Sequence, residues 1–455
     1  MPSVRPLLFH GTVYTGGCAA LSLFVRFGLC RPVQSVDNYL QADDTTAIGI
    51  CDQSLRVTAD GYRVSRRGPV TLSELLLPHR RLQMNLGNRN NIATVWTLVL
   101  AALIVIGLAV TASFPALAAA SGTWSLTGSM NTGREDHTAT LLQNGEVLVA
   151  GGISAADATL ASAELYSPTR GKCTVTGNMT TARYGHSAEL LPNGEVLVAG
   201  GISSTSNGTI LGESELYNPT TGAWTKTGSL TTARYEHGAA MLTDGQVLVA
   251  GGYGAEDSIL ASAEAYNPTT GKRVVTGGLH DARSTNAALL RVGAVLMAGG
   301  VGSGNENTAE TYLNGVWTLT TAMVFSHPSR RIAALADGDA LIYGGTLASY
   351  VAEYYAPSTG SWTATHDLGL NPPGGNTLTL LNSGEVLLVG GSTHVGTSYV
   401  AQTLCHLYTS SNNAWSSTGS LNHARVAHTA TLLQNGEVLA AGGGATPASA
   451  ELYTP

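Results

Sequence analysis

The sequence predicts an all-β fold: a seven-bladed propeller of four-stranded blades, the last blade closed by the chain's own strand near Trp124. Three observations carry this reading. The phrase NGEVLVAGG at Asn144 to Gly152 returns at Asn193 and, as DGQVLVAGG, at Asp244, with looser copies VGAVLMAGG, DGDALIYGG, SGEVLLVGG and NGEVLAAGG further on. The copies are regularly spaced, their glycine pairs beginning at Gly151, Gly200, Gly251, Gly299, Gly344, Gly390 and Gly442. Glycine supplies 55 of the 455 residues while only 12% are charged, a composition of short strands and tight turns rather than of disorder.

Each repeat reads as four strands in order. HTATLL or HGAAML is the first, alternating small and apolar residues. NG or DG makes the hairpin turn, where Asn, Asp and Gly tolerate positive φ. VLVAGG is the second strand, apolar on both faces and therefore buried between neighbours. After a variable loop comes AELY, then the turn NPTTG, then a fourth strand such as GAWTKTG. Such a sheet cannot bury its faces alone, and radial stacking of copies supplies the missing neighbours. The acidic-x-Tyr element recurs at Glu164–Tyr166, Glu215–Tyr217, Glu264–Tyr266, Glu310–Tyr312, Glu353–Tyr355 and Glu451–Tyr453, and becomes His406–Tyr408 in the sixth copy. The fourth-strand aromatic position carries Trp124, Cys173, Trp224, Arg273, Trp317, Trp362 and Trp415 in turn.

A double glycine after an apolar strand, then Tyr, then Trp, resembles the kelch family, in which each repeat is one blade of a β-propeller. The resemblance covers about residues 121–455 and implies seven blades. Cys173 and Arg273 depart from its pattern, which implies poorer packing at those two positions. The chain stops at ASAELYTP, one strand short of a unit, and the missing strand SGTWSLTG stands at 121–128. Pairing first strand with last would close the ring and remove an open edge.

Ahead of the repeats the charge balance reverses. Residues 1–93 hold ten Arg against six Asp or Glu, whereas residues 121–455 hold 13 Lys or Arg against 24 acids. An acidic, lysine-poor body argues against nucleic acid as a partner. From Thr94 the segment TVWTLVLAALIVIGLAVTASFPALAAA is long enough to cross a bilayer, and Arg80, Arg81 and Arg89 before it put its N-terminal side in the cytoplasm. Two readings of residues 94–120 stand. One is a transmembrane signal anchor, touching the membrane through 94–114. The other is a signal-peptide core with Ala118 and Ala120 at the cleavage spacing and Ser121 as the new terminus. Residues 1–93 are then a cytoplasmic tail, or residues 1–83 arise from an upstream start codon, with Met84 as the true start. Both readings make the propeller extracytoplasmic, secreted or membrane-anchored. The five cysteines, Cys18, Cys30, Cys51, Cys173 and Cys405, form neither a disulfide framework nor a metal spacing, so Cys173 and Cys405 are expected as small buried side chains.

Residues that recur in every blade are expected to be structural. His137, His186, His237 and His428 stand three residues after Arg134, Arg183, Arg234 and Arg425. Equivalent points on a wide ring lie too far apart to share an ion with bonds of about 2 Å. A bond from each His or Arg to a neighbouring blade is therefore expected, and no metal or other cofactor. The odd copies are more informative: Asn286, Arg330 and Asn376 at the His position, His327 and Pro373 at the Arg position. Variable loops after the glycine pairs share a face with the blade-to-blade connections, and binding residues gather on such loops. Tyr253, Asp257, His394 and Tyr399, with Asn286, Arg330 and Asn376, are the candidate ligand contacts.

The function expected on these grounds is a non-catalytic, monomeric extracytoplasmic binding module that recognises a protein or a glycan. The alternative is a copper-dependent carbohydrate or alcohol oxidase resembling galactose oxidase, whose central domain is a seven-bladed kelch-type propeller carrying copper. That resemblance implies tyrosine and histidine ligands and a cysteine cross-linked to tyrosine. Cys173 stands in a core Trp position and Cys405 adjoins His406, so neither matches that site. A cytoplasmic adaptor, as for many kelch proteins, ranks third. No G-x-G-x-x-G, phosphate-loop, zinc-finger or zinc-hydrolase signature is present.

Overall fold

A computed structural model describes residues 122–455, except 303–305, 329–330, 347–348, 367–373 and 396–397. Upstream it describes only the backbone of two short antiparallel strands, Thr12–Val13 and Leu21–Ser22. The cytoplasmic tail, the apolar segment 94–120 and candidate Arg330 lie outside the described residues. Among those described, no helix is long and apolar enough to cross a membrane.

Seven four-stranded antiparallel sheets follow one another along the repeats. The first consists of Thr138–Leu141, Val147–Ala150, Ala163–Ser167 and Lys172–Val175, each strand paired with the one before it. The other six begin with Ser187–Leu190, Gly238–Met241, Ala287–Leu289, Arg331–Ala334, Thr377–Leu380 and Thr429–Leu432. Each of these first strands touches the first strand of the next blade, and the seventh returns to the first, so they encircle one axis. Strand Thr123–Thr127 completes the seventh blade by pairing with Ala450–Thr454, Trp124 opposite Tyr453, as the sequence predicts.

The second strands explain why the repeat is so apolar. All four residues of Val147–Ala150 are buried. Val147 and Val149 pack with Leu433, Leu439 and Ala441 of the seventh blade, while Leu148 and Ala150 pack with Val196, Val198 and Tyr217 of the second. One such cluster fills each of the seven seams. The glycine pair ending the strand is a close-packing requirement. A Cβ on Gly151 would meet the Arg183 carbonyl oxygen of the next blade at 2.5 Å, and one on Gly152 would meet the Glu135 carbonyl oxygen at 2.5 Å.

Polar bonds stitch the outer part of each seam. Tyr217 and Tyr266 share hydroxyl hydrogen bonds of 2.8 and 2.7 Å with Thr176 and Thr227 of the preceding blade. Trp224 lies 5.0 Å from the Tyr217 ring and donates Nε1–H to the Gly177 carbonyl at 2.8 Å. Arg273 does both jobs at its own position. Its guanidinium lies 5.1 Å over the Tyr266 ring, and Nε–H donates to the equivalent carbonyl, Gly228, at 3.1 Å. Guanidinium and indole thus offer a similar flat surface and the same donor, but Arg273 Nη1 is buried without a partner and burial lowers the guanidinium to about 10, so the fit is less ideal, as the sequence suggests. Cys173 is buried, with its Sγ 3.8 Å from the corresponding Gly128 carbonyl. Cys405 is buried as well, and burial pushes both thiols up to about 12, which keeps them protonated and inert.

A buried ion pair anchors the connection between blades. Arg234 Nη1 donates to the Gly251 and Ser262 carbonyls, both at 2.8 Å, and Nη2 to Ser262 Oγ at 2.9 Å and Glu264 Oε1 at 3.2 Å. Glu264 in turn accepts the backbone N–H groups of Thr231 and Thr232 at 2.7 and 3.0 Å. Burial would raise the Glu264 pKa, but these N–H groups, the Thr231 side chain and Arg234 outweigh it and hold the carboxyl below its ordinary value. Pairs Arg134–Glu164, Arg183–Glu215, Arg283–Glu310 and Arg425–Glu451 repeat the arrangement. In the fifth blade His327 takes the arginine's place, its Nε2 2.8 Å from Glu353 Oε1.

Removing one partner strands a buried charge, so Arg234→Met should cost about 3–5 kcal/mol in chemical unfolding. Adding Glu264→Gln should restore part of that loss. Equal losses in the single and double variants would refute the pair as the coupled unit.

Candidate functional site

Strand order brings the glycine-pair loops and the blade-to-blade connections to one face, where each connection turns into the first strand of its blade. Five connections make that turn through a left-handed residue: Asp136 (φ 49°), Gly185 (62°), Glu236 (51°), Gly375 (76°) and Ala427 (55°). These residues also link neighbouring blades. Asp136 N–H donates to Ala427 O at 3.1 Å, Ala427 N–H to Gly375 O at 3.2 Å, and Glu236 N–H to Gly185 O at 2.7 Å. They frame a cavity of about 350 Å³ at the mouth of the axis, lined by Asp136, Glu236, Asn286, Arg331 and the four repeated histidines.

The histidines rivet the seams, as expected from the sequence. Nε2 of His137 lies 3.0 Å from Thr429 Oγ1, that of His186 3.0 Å from Thr138 Oγ1, that of His237 2.9 Å from Ser187 Oγ and that of His428 3.3 Å from Thr377 Oγ1. Each bond crosses to the preceding blade, and each Nδ1 is buried without a hydrogen-bond partner. Burial first, then Arg134 and Arg425, lower His137 to about 3; burial, then Arg183 and His137, do the same for His186. Burial and neighbouring charge also hold His237 and His428 well below the ordinary value. All four rings are therefore neutral at physiological pH.

The predicted contacts divide between the mouth and two loops. Asn286 lines the mouth, but not from the histidine position. Ala287 pairs with Met297 as Ala139 pairs with Val149, so Asn286 corresponds to Thr138 and Thr285 stands where His137 does. The fourth connection is one residue shorter and lacks the left-handed residue, which a count from Arg283 cannot reveal. Asn376 does hold the histidine position and is buried. Tyr253 stacks on Tyr235, centroids 5.2 Å apart and planes at 24°, and Tyr235 donates its hydroxyl to Asp257 Oδ1 at 2.8 Å. Tyr253 and Asp257 are thus joined through Tyr235, next to Glu236 of the mouth. His394 and Tyr399 are opposite in backbone register on a hairpin of the sixth blade, Ser392–Val395 with Ser398–Ala401. Sequence reasoning missed Asp136, Glu236 and Arg331. The signal was present in the residue before each repeated histidine, which is Asp136, Gly185, Glu236 or Ala427 in turn.

No protein-family description matches the chain, and no curated protein matches it. Among solved structures it is similar to a fungal alcohol oxidase of the AA5 family in complex with copper, with 16% identity and a TM-score of 0.58, over 73% of this chain and 76% of that one. At that identity the likeness establishes the shared propeller fold. It also corrects the expectation of a non-catalytic module. That expectation leaned on the fold and on the missing catalytic signature, and a copper alcohol oxidase on the same fold removes the first support. Among the described residues no three His, Cys, Asp or Glu side chains are grouped to hold a metal ion, and the four repeated histidines make seam bonds.

The neutral histidines make stability pH-dependent. Unfolded histidine titrates near 6.5, so below that pH the unfolded chain binds protons that the folded ring refuses. Stability should fall as pH drops from 6.5 toward 3, by up to about 1.4 kcal/mol per pH unit for each histidine. Glu164, Glu264 and Glu451, held below the ordinary carboxyl value, add a further loss once pH falls through their folded pKa. Urea midpoints at pH 7.5, 6.0 and 5.0 measure the first stage, and a flat series would contradict the neutral ring.

Proposed function

We propose that this chain is a kelch-type propeller that works outside the cytoplasm and takes a glycan at the axial mouth, with the surrounding loops setting specificity. The observation that carries the reading is the composition of the mouth. Asp136, Glu236, Asn286 and Arg331 line the same cavity. Carboxylates accept from sugar hydroxyls, while amide and guanidinium donate to them. A cavity of about 350 Å³ falls in the range of small-molecule sites. The Tyr235–Tyr253 stack beside Glu236 adds aromatic surface against which the apolar side of a sugar ring can pack. Location outside the cytoplasm draws on the apolar segment from Thr94 and the arginines before it.

Glycan capture is a step common to a binding module and to an enzyme acting on carbohydrate. The copper-dependent carbohydrate or alcohol oxidase stays as the second reading, favoured by the shared fold with the fungal enzyme.

Calorimetric titration of the full chain with a panel of neutral and charged oligosaccharides tests the first reading. Asp136→Asn combined with Glu236→Gln should weaken the best ligand about tenfold or more. Unchanged affinity in that variant would sink the mouth as the site. Metal analysis of the purified protein tests the second reading, which one equivalent of copper per chain would support.

A further inference from the structure

The mouth is uneven, and its departures from the repeat gather on the third blade. Each connection runs beside the loop after its own glycine pair, one residue of each opposite in backbone register. These pairs are Glu135 with Ile153, Tyr184 with Ile202, Tyr235 with Tyr253, Ser284 with Val301 and Gly374 with Ser392. Among the described residues the third blade alone sets two aromatic rings there, and they stack.

Backbone strain collects at the same place. A left-handed residue with a Cβ is costly, and glycine is the residue that avoids the cost. The second and sixth blades turn into their first strands through Gly185 and Gly375, whereas the third holds Glu236 there at φ 51°. Gly185 and Ala427 at equivalent turns show that the ring closes without a carboxylate at this position. The loop of the third blade adds two successive left-handed residues, Glu256 at 55° and Asp257 at 53°. Strain kept where glycine would serve points to the side chain that it positions.

Tyr235 ties these features together. Its ring stacks on Tyr253, its hydroxyl donates to Asp257 Oδ1 at 2.8 Å, and Glu236 is the next residue. Glu236 is held on both sides by other blades: its N–H donates to Gly185 O and its carbonyl accepts Ser284 Oγ, both at 2.7 Å. A Cβ on Gly185 would stand 3.4 Å from Glu236 Cγ and 3.6 Å from Tyr235 Cδ2. The two side chains therefore meet over the bare glycine of the second blade, and Gly185 and Glu236 both line the mouth. Tyr184 registers the same approach, since burial first, then Glu236 and Asp136, raise its hydroxyl above the ordinary value.

We propose that the third blade carries the ring-binding subsite of the mouth: Tyr253, backed by Tyr235, packs against the apolar face of one sugar residue while the Glu236 carboxylate accepts two of its adjacent hydroxyls. A carboxylate has two acceptor oxygens and no donor, which matches a pair of neighbouring hydroxyls. Aromatic surface beside it takes the part of the ring that has no polar group. Asp257 is a positioning residue, because it touches Tyr235 and holds that ring against Tyr253. The inference rests on the glycan reading and narrows the ligand to a sugar whose vicinal hydroxyls are free.

Calorimetry on the full chain tests it with tetrasaccharides of glucose, mannose, galactose and xylose, each beside its per-O-methylated form, and with tetramethylammonium chloride. At least one free tetrasaccharide should bind, about tenfold tighter than its methylated form, which keeps the apolar face and has no hydroxyl. Glu236→Gln should weaken the free form about tenfold and leave the methylated form unchanged. Tyr253→Ala should weaken both forms, and Tyr253→Phe should restore them. Asp257→Ala should weaken both forms as well, whereas Asp257→Asn, which still accepts from Tyr235, should not. Glu236→Gly should melt no lower than the parent, as Gly185 makes the same turn. Equal binding of free and methylated forms, unaltered affinity in Glu236→Gln, or a lower melting temperature in Glu236→Gly overturns the subsite and leaves a glycan seat elsewhere at the mouth. Tetramethylammonium binding that Tyr253→Ala and Glu236→Gln both abolish makes the group a cation cage and overturns it too. Failure of every tetrasaccharide to bind sinks the glycan reading and the subsite with it.

Discussion

The buried arginine–glutamate bracket is the constraint on which the ring depends, because it solves three problems at one point in each seam. The connection between blades must cross the end of the sheet and leave no bare backbone groups. Glutamate of the third strand accepts two of its N–H groups, as Glu264 does for Thr231 and Thr232. The arginine that follows caps carbonyls at the end of the second strand, as Arg234 does at Gly251. Each charge then neutralises the other. Ion pairs removed from water often break even against apolar packing, and what they contribute is a defined geometry. Here that geometry fixes where the connection turns toward the axis. The exceptions obey the same logic: His327 still meets Glu353, and the sixth repeat has lost both members together, with Pro373 and His406 in their places.

Once the connection is held, the rest of the seam follows from close packing. The glycine pair admits the next blade's arginine carbonyl, and the histidine after that arginine reaches back to a hydroxyl of the preceding blade. These groups cannot vary one at a time. Residues between them can, and that freedom falls at the left-handed position before each histidine and in the loops after each glycine pair. Asp136 and Glu236 exploit the first, the Tyr235–Tyr253–Asp257 group and the hairpin of the sixth blade the second. A rigid ring with one variable face suits many chemistries, which is why a shared fold with a copper alcohol oxidase forbids calling this chain non-catalytic yet does not make it an oxidase.

Much of this was legible in the repeats. Blade count, strand order, ring closure at Trp124 and the cross-seam role of the histidines follow from spacing and from the apolar run of the second strand. The site was legible only in part. Asn286 was assigned one position off because its connection is a residue short, a shift that only pairing with Met297 exposes. Arg273 can replace the indole in part, stacking on Tyr266 and donating to the Gly228 carbonyl, a substitution of charge for aromaticity that only the seam geometry reveals.

The sequence by itself determined the unit and its number, because periodic burial, tight turns and close-packed glycines are local demands that each repeat must meet alone. Tertiary structure decided which residues share the axis. Residues some 50 positions apart become neighbours only when the ring closes, and which of them stand level depends on strand register rather than on distance along the chain.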